Sequence, residues 1–147
     1  MKKVTILMFS LFIATVMFGK TNVPVAVQQA FQKKFSHAEK VKWDQESPGE
    51  WEAEFKLNGT EMSASFDQNG TWIETEKKIS KKELPEVVDR TVKKKFAEYK
   101  IEEVEAVEKP GFSGYEMEVE KGETTFEVVI SNTGEIVNKK AEGNDKD

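Results

Sequence analysis

Two spacings of apolar residues alternate along the chain. Between Pro24 and Phe35, Val27, Ala30, Phe31 and Phe35 recur at helical intervals, with Gln28, Gln32 and Lys33 on the opposite side. Between Pro85 and Phe96 the same spacing carries Val88, Val92 and Phe96 against Asp89, Lys93 and Lys94. Each run predicts a helix that opens at its proline, whose fixed φ suits a first helical position and whose missing N–H is not needed there. Ser80-Lys81-Lys82-Glu83 fits a capping box, but a helix begun there would hold Pro85 inside it, so the second helix is placed from Pro85. After each helix the period falls to two. Val41 and Trp43, then Trp51, Ala53 and Phe55, then Met62, Ala64 and Phe66 alternate with polar residues. Val104 and Ala106, then Tyr115, Met117 and Val119, then Phe126, Val128 and Ile130, with Val137 beyond them, repeat the pattern. Such runs predict strands with one apolar face. Ser47-Pro48-Gly49, Asn58-Gly59, Asn69-Gly70, Lys121-Gly122 and Asn132-Thr133-Gly134 are the turns between them.

The two halves align with one another. The helical runs correspond at an offset of 61, while Gly49 to Phe55 matches Ser113 to Val119, and Asn69 to Ile73 matches Thr133 to Val137, at an offset of 64. The expected fold class is therefore α+β: two tandem repeats, each one helix followed by a three- to four-stranded antiparallel sheet, with the helices on one face of the sheet. The expected organisation is a signal peptide over 1–19, a first repeat over 20–79, a second over 80–141 and a polar tail over 142–147. One such repeat is marginal alone, so the two sheets are expected to join edge to edge or to pack together. Lys77 to Glu83 reads as the connector.

Composition narrows the chemistry. The chain has 147 residues, no Cys and a single histidine, His37. Thiolate nucleophiles, disulfides, Cys-ligated zinc and multi-His metal sites are excluded. Lys2 and Lys3 precede an uncharged run from Val4 to Phe18 that ends at Gly19, the pattern of a cleaved secretory signal too short for a membrane span. Removing residues 1–19 leaves 20 basic side chains against 27 acidic ones, a charge of −7. That charge disfavours nucleic acid and anionic membrane surfaces as partners.

Leu84-Pro85 opening a helix that ends in Lys95-Phe96, the Gly-x-Trp/Tyr-Glu-x-Glu strands (Gly49 to Glu54, Gly114 to Glu118), and the strand starts at Gly70 and Gly134 together resemble the β-lactamase-inhibitor-like, PepSY-like family of secreted bacterial proteins. The resemblance covers residues 23–140 in two copies. It implies a periplasmic protein. It also implies a contact made as β-lactamase inhibitor proteins make theirs, through the open face of a sheet built by tandem helix-plus-sheet repeats. PepSY domains are associated with inhibiting or escorting peptidases. The shared motifs are structural, and no inhibitory residue is carried over.

The open face is the candidate partner-binding site. Alternation assigns to it Glu52, Glu54, Ser63, Ser65, Trp72 and Glu74 in the first unit, and Glu116, Glu118, Thr125, Glu127, Val129 and Ile136 in the second. Trp72 is expected there because Ile73 matches Val137 on the core side, and an indole among carboxylates suits a binding hot spot. Its alternative is packing against a loop or across the junction of the units. Trp43 and Trp51 belong to the core. The rows Glu50, Glu52, Glu54 and Glu116, Glu118, Glu120 read as solvated and ionised side chains, since acid–base catalysis needs a carboxyl with a raised pKa in a desolvated cleft. Asp67-Gln68-Asn69-Gly70 is a turn and no calcium loop, because Gly comes too early and Lys78 stands where a ligating Glu would be needed. His37 reads as a surface residue near a helix end. No catalytic residue, metal ligand or cofactor is assigned. The expectation is a periplasmic, non-enzymatic module that binds an unidentified periplasmic or envelope protein or peptide, with no nucleic acid partner and no membrane partner after signal cleavage. The alternative is a small-molecule or cation-binding protein that uses the acidic face.

Overall fold

A computed structural model describes residues 22–141. The expected signal peptide and polar tail lie outside the described residues. In chain order the elements are α1 (Val25–Lys34), β1 (Glu39–Ser47), β2 (Glu50–Leu57), β3 (Thr60–Asp67), β4 (Trp72–Lys78), a single 3-10 turn (Lys81–Glu83), α2 (Glu86–Lys95), β5 (Lys100–Lys109), β6 (Phe112–Lys121), β7 (Thr124–Ser131) and β8 (Ile136–Ala141). Pro24 and Pro85 stand at the N-caps of the two helices. Both end in lysines, Lys33 and Lys34 or Lys93 to Lys95, which face the negative end of the helix dipole. The Ser80–Glu83 box closes the 3-10 turn, with Ser80 N–H donating to Glu83 Oε2 at 2.8 Å.

The expectation of two repeats, each a helix with its own small sheet, is corrected. All eight strands form one antiparallel sheet in the order β1-β2-β3-β4-β5-β6-β7-β8. The join is β4 to β5, where Thr75, Glu76, Lys77 and Lys78 pair with Glu108, Val107, Ala106 and Glu105. Two separate sheets would expose four edges of unpaired N–H and C=O groups; one sheet exposes two. Those two edges, β1 and β8, carry Lys40 and Lys42 or Lys139 and Lys140, and edge lysines discourage strand addition.

Both helices lie on one face. Tracing the register from Met62 through Lys77, Ala106 and Tyr115 to Ile130 crosses the sheet without changing sides. On that side Val27 and Phe31 of α1, with Phe35 at its C-cap, pack against Trp51, Ala53, Phe55, Ala64 and Phe66. Val88, Val92 and Phe96 pack against Val104, Met117, Val119, Val128 and Ile130. Each such buried side chain contributes roughly 1.5–3 kcal/mol. Two turns tie the helices down. Gly70 has φ +82°, and a Cβ there would lie 2.5 Å from Ala26 O; Thr91 Oγ1 donates to Gly134 O at 2.8 Å. Among the described residues no helix covers the other face of the sheet.

Candidate functional site

Strand pairing decides which side chains share the open face. Asp44, Glu52, Ser65 and Glu74 form one row across β1 to β4; Lys42, Glu54, Ser63 and Glu76 form the next. On β5 to β8 the rows are Glu105, Glu116, Val129 and Asn138, and Glu103, Glu118, Glu127 and Lys140. Glu52, Glu54, Glu74, Glu116, Glu118, Glu127 and Val129 are thus placed together on this face.

Trp72 and Ile136 are not, and their expected placement is corrected. Trp72 pairs with Phe66 while Glu74 pairs with Ser65, so Ile73 is an extra, bulged residue. Ile136 pairs with Ile130 and Asn138 with Val129, so Val137 is bulged in the same way. A bulge flips the alternation that follows the turn. Trp72 therefore turns to the helix side, half-buried against the core, where its Nε1 donates to Thr75 Oγ1 at 2.9 Å and Lys34 Nζ sits 4.0 Å from its ring centroid. Ile136 packs with the core around α2.

The open face is dished. A cavity of about 400 Å3 draws its walls from β1 to β7 and is lined by Glu52, Glu54, Ser63, Glu76, Glu105, Glu116, Glu118 and Glu127, with Lys40, Lys42 and Lys78 among its other lining residues. Beside it Val107 and Val129 are buried, and the Phe112 ring folds over Gly114, where a Cβ would meet it at 2.7 Å. The reading of the two rows as solvated, ionised glutamates is corrected at Glu52, which is buried, and at Glu116, which is half-buried with a raised pKa; Glu54 is exposed as expected. Glu52 is 4% exposed and Glu76 2% exposed, and Glu74 and Glu127 are buried as well. A long sheet twists and coils, so carboxylates that would stand in water on a flat ribbon crowd into the hollow.

Burial and crowding raise the carboxyl pKa values. Loss of hydration, reinforced by Glu46, lifts Glu52 to about 9. Loss of hydration, with Glu74 and Glu105 close by, lifts Glu76 to about 8. Burial lifts Glu116 to about 9, with Glu127 adding to it, and Glu105 to about 7, with Glu103 adding to it. Two cations are already engaged: Lys109 pairs with Glu74, and Lys78 with Glu103. Ser63 Oγ donates to Glu76 Oε2 at 3.1 Å, while Glu76 Oε1 and Glu52 Oε1 are buried without a hydrogen-bond partner among the described residues. Acid–base catalysis rests on two carboxyls pushed apart in pKa; here Glu46, Glu52, Glu76, Glu105 and Glu116 are all pushed the same way. Among the described residues no group of three or more His, Asp or Glu is arranged to hold a metal ion, and no helix is long and apolar enough to cross a membrane. His37 is exposed after α1.

Sequence reasoning missed Glu76 and Glu105. Plain alternation from Glu74 and through Val104 and Ala106 marks both, but Lys77-Lys78 reads as a linker and hides the end of β4.

Solved structures share this architecture. A BLIP-like protein from Bacteroides fragilis is 25% identical with TM-score 0.72, the match covering 83% of this chain and 89% of that one. A protein from Bacteroides eggerthii described as one of its "putative periplasmic proteins" is 20% identical with TM-score 0.75, covering 81% and 88%. A DUF2874 family protein from Bacteroides ovatus is 23% identical with TM-score 0.74, covering 80% and 86%. No curated protein shows a significant match. Over residues 49–138, more than half of its length, the sequence matches the family described as "putative beta-lactamase-inhibitor-like, PepSY-like", and the chain belongs to that family.

Proposed function

We propose that the chain is a periplasmic, non-enzymatic binding module that holds a protein or peptide against the open face of its sheet. The observation that carries this reading is the asymmetry of the sheet: both helices cover one side, and the other is a hollow with buried carboxyls and buried Val107 and Val129. Periplasmic placement is supported by the leader pattern at residues 1–19 and by the description of the B. eggerthii relative. Inhibitor-like binding is supported by the family description. The test is site-specific photo-cross-linking in periplasmic extract, with the probe at Glu54 or Glu118 on the open face, or at Gln28 on the solvent side of α1. Adducts from the open-face probes alone are expected; adducts only at Gln28, or none, would remove the proposal.

A further inference from the structure

We infer that the floor of the hollow is a receptor for the cationic side chain, lysine or arginine, of a peptide or protein partner. The inference rests on the open-face reading above and adds the chemistry of the occupant.

Two carboxyl oxygens carry the argument. Glu52 Oε1 and Glu76 Oε1 both belong to cavity-lining side chains and both are buried, and among the described residues neither oxygen has a hydrogen-bond partner, although the Glu52 carboxyl bonds with Glu46 and Ser63 and Glu76 Oε2 accepts from Ser63. A buried acceptor left unpaired is costly, and the cost is recovered when a donor arrives. The donor that matches several convergent carboxyls is a cation. An ammonium offers three N–H groups and a guanidinium five in a planar fork. A bare metal ion fits less well, since among the described residues no three acids or His are arranged around one point. The space, about 400 Å3, admits a long side chain together with part of its backbone. Of the lysines that line the cavity, Lys78 is held by Glu103 and Lys56 by Glu61, and Lys109 beside it by Glu74, while Lys40 and Lys42 stand on the edge strand β1.

Entry of a cation exchanges it for a proton. Glu76 faces Glu74 and Lys78 on its own strand, Ser63 on β3, Glu52 on β2, Glu105 and Lys109 on β5, and Glu116 on β6, with Glu54 on β2 and Lys42 on β1 farther along its row. Glu52 faces Asp44 and Glu46 on β1, with Ser63 and Glu76 on its other side. In that company the empty floor carries protons at neutral pH. A cation stabilises the ionised form and expels them, so binding tightens as pH rises.

Calorimetry with the full chain tests this, using acetyl-Lys-Ala-Lys-Ala-Lys-amide as probe and its norleucine analogue as the neutral control. Titrations at pH 6, 7 and 8 are run in two buffers of different ionisation enthalpy, with NMR shifts locating the site. The lysine peptide is expected to bind on the open face with release of about one proton, and to gain up to about tenfold in affinity per pH unit. The norleucine peptide is expected not to bind. Glu76→Gln and Glu52→Gln keep the shape of a neutral acid, so they should fold, and each should weaken binding on the order of tenfold or more. Glu86→Gln, exposed on α2, should change nothing. Equal binding of the norleucine peptide, binding without proton release, or unaltered binding by both glutamine variants would overturn the inference while leaving the open face as a contact surface. Spermidine binding as tightly as the lysine peptide would overturn it in favour of free polyamines. Absence of lysine-peptide binding would overturn it too, and the cross-linking pattern would then decide the broader proposal separately.

Discussion

Phe31 is the centre of the core beneath α1. Its ring lies 5.4 Å from Phe35, 5.2 Å from Trp43, 5.1 Å from Phe55 and 6.3 Å from Phe66, three of these contacts edge-on. Phe31→Ala removes all four and leaves a hole that rigid strands cannot close. We expect it to destabilise the fold by about 3–5 kcal/mol in urea titration, and a loss below about 1 kcal/mol would contradict the packing described. On the other face the sensitive residue is Lys109, whose ammonium neutralises the buried Glu74 carboxylate. Lys109→Ala strands that charge. A loss of about 1–3 kcal/mol at neutral pH is expected from the same measurement.

At the scale of elements, the turns decide how the helices meet the sheet. Gly70 and Gly59 both have φ near +80°, but a Cβ at Gly70 would collide with the Ala26 carbonyl whereas nothing lies within 4 Å of one at Gly59. Gly59→Ala is therefore expected to cost about 1 kcal/mol, from backbone conformation alone. Gly70→Ala should cost at least about 1 kcal/mol more, because the turn must also lift away from α1. Equal losses in urea melts would show that the turn does not dock on the helix. The same turns set the limit of what alternation reveals. Helix starts at Pro24 and Pro85 and the strands from Trp51 to Phe66 are readable, since each rests on local spacing or on a proline that can sit in only one place. The sides taken by Trp72 and Ile136 are not. Each follows a glycine turn, and one bulged residue, Ile73 or Val137, reverses the parity without leaving a mark in composition. Lys77 and Lys78 read as linker for a related reason: their charge suits a loop, yet the β5 edge needs partners and pairs with them.

For the molecule as a whole, continuity of the sheet turns an acidic face into a place where protons are stored. Glu52, Glu76, Glu105 and Glu116 hold protons in the folded chain to about pH 9, 8, 7 and 9, while the unfolded chain releases them near 4.5. Between about pH 5 and 9 the native state therefore binds more protons, and stability must fall as pH rises. Asp67, Glu83, Glu98 and Glu102 have lowered pKa values from hydrogen bonds or lysine partners. Their contributions are lost only below about pH 4.5, outside that window. We expect the melting temperature to decline from pH 5 to pH 9, and the decline to be shallower in Glu76→Gln. A melting temperature that rises over this range would contradict it. Glutamates on a flat, wet sheet would give no such trend, which is why the alternating pattern alone suggests ionised side chains: it records the face a residue takes, while curvature depends on eight strands acting together.

The most direct measurement is an NMR titration of the Glu76 side-chain carboxyl in the unliganded protein. A midpoint near 8 is expected if the open face is a desolvated hollow; a midpoint near 4.5 would show a carboxylate standing in water, and with it a face that has no enclosed acidic floor to offer a partner.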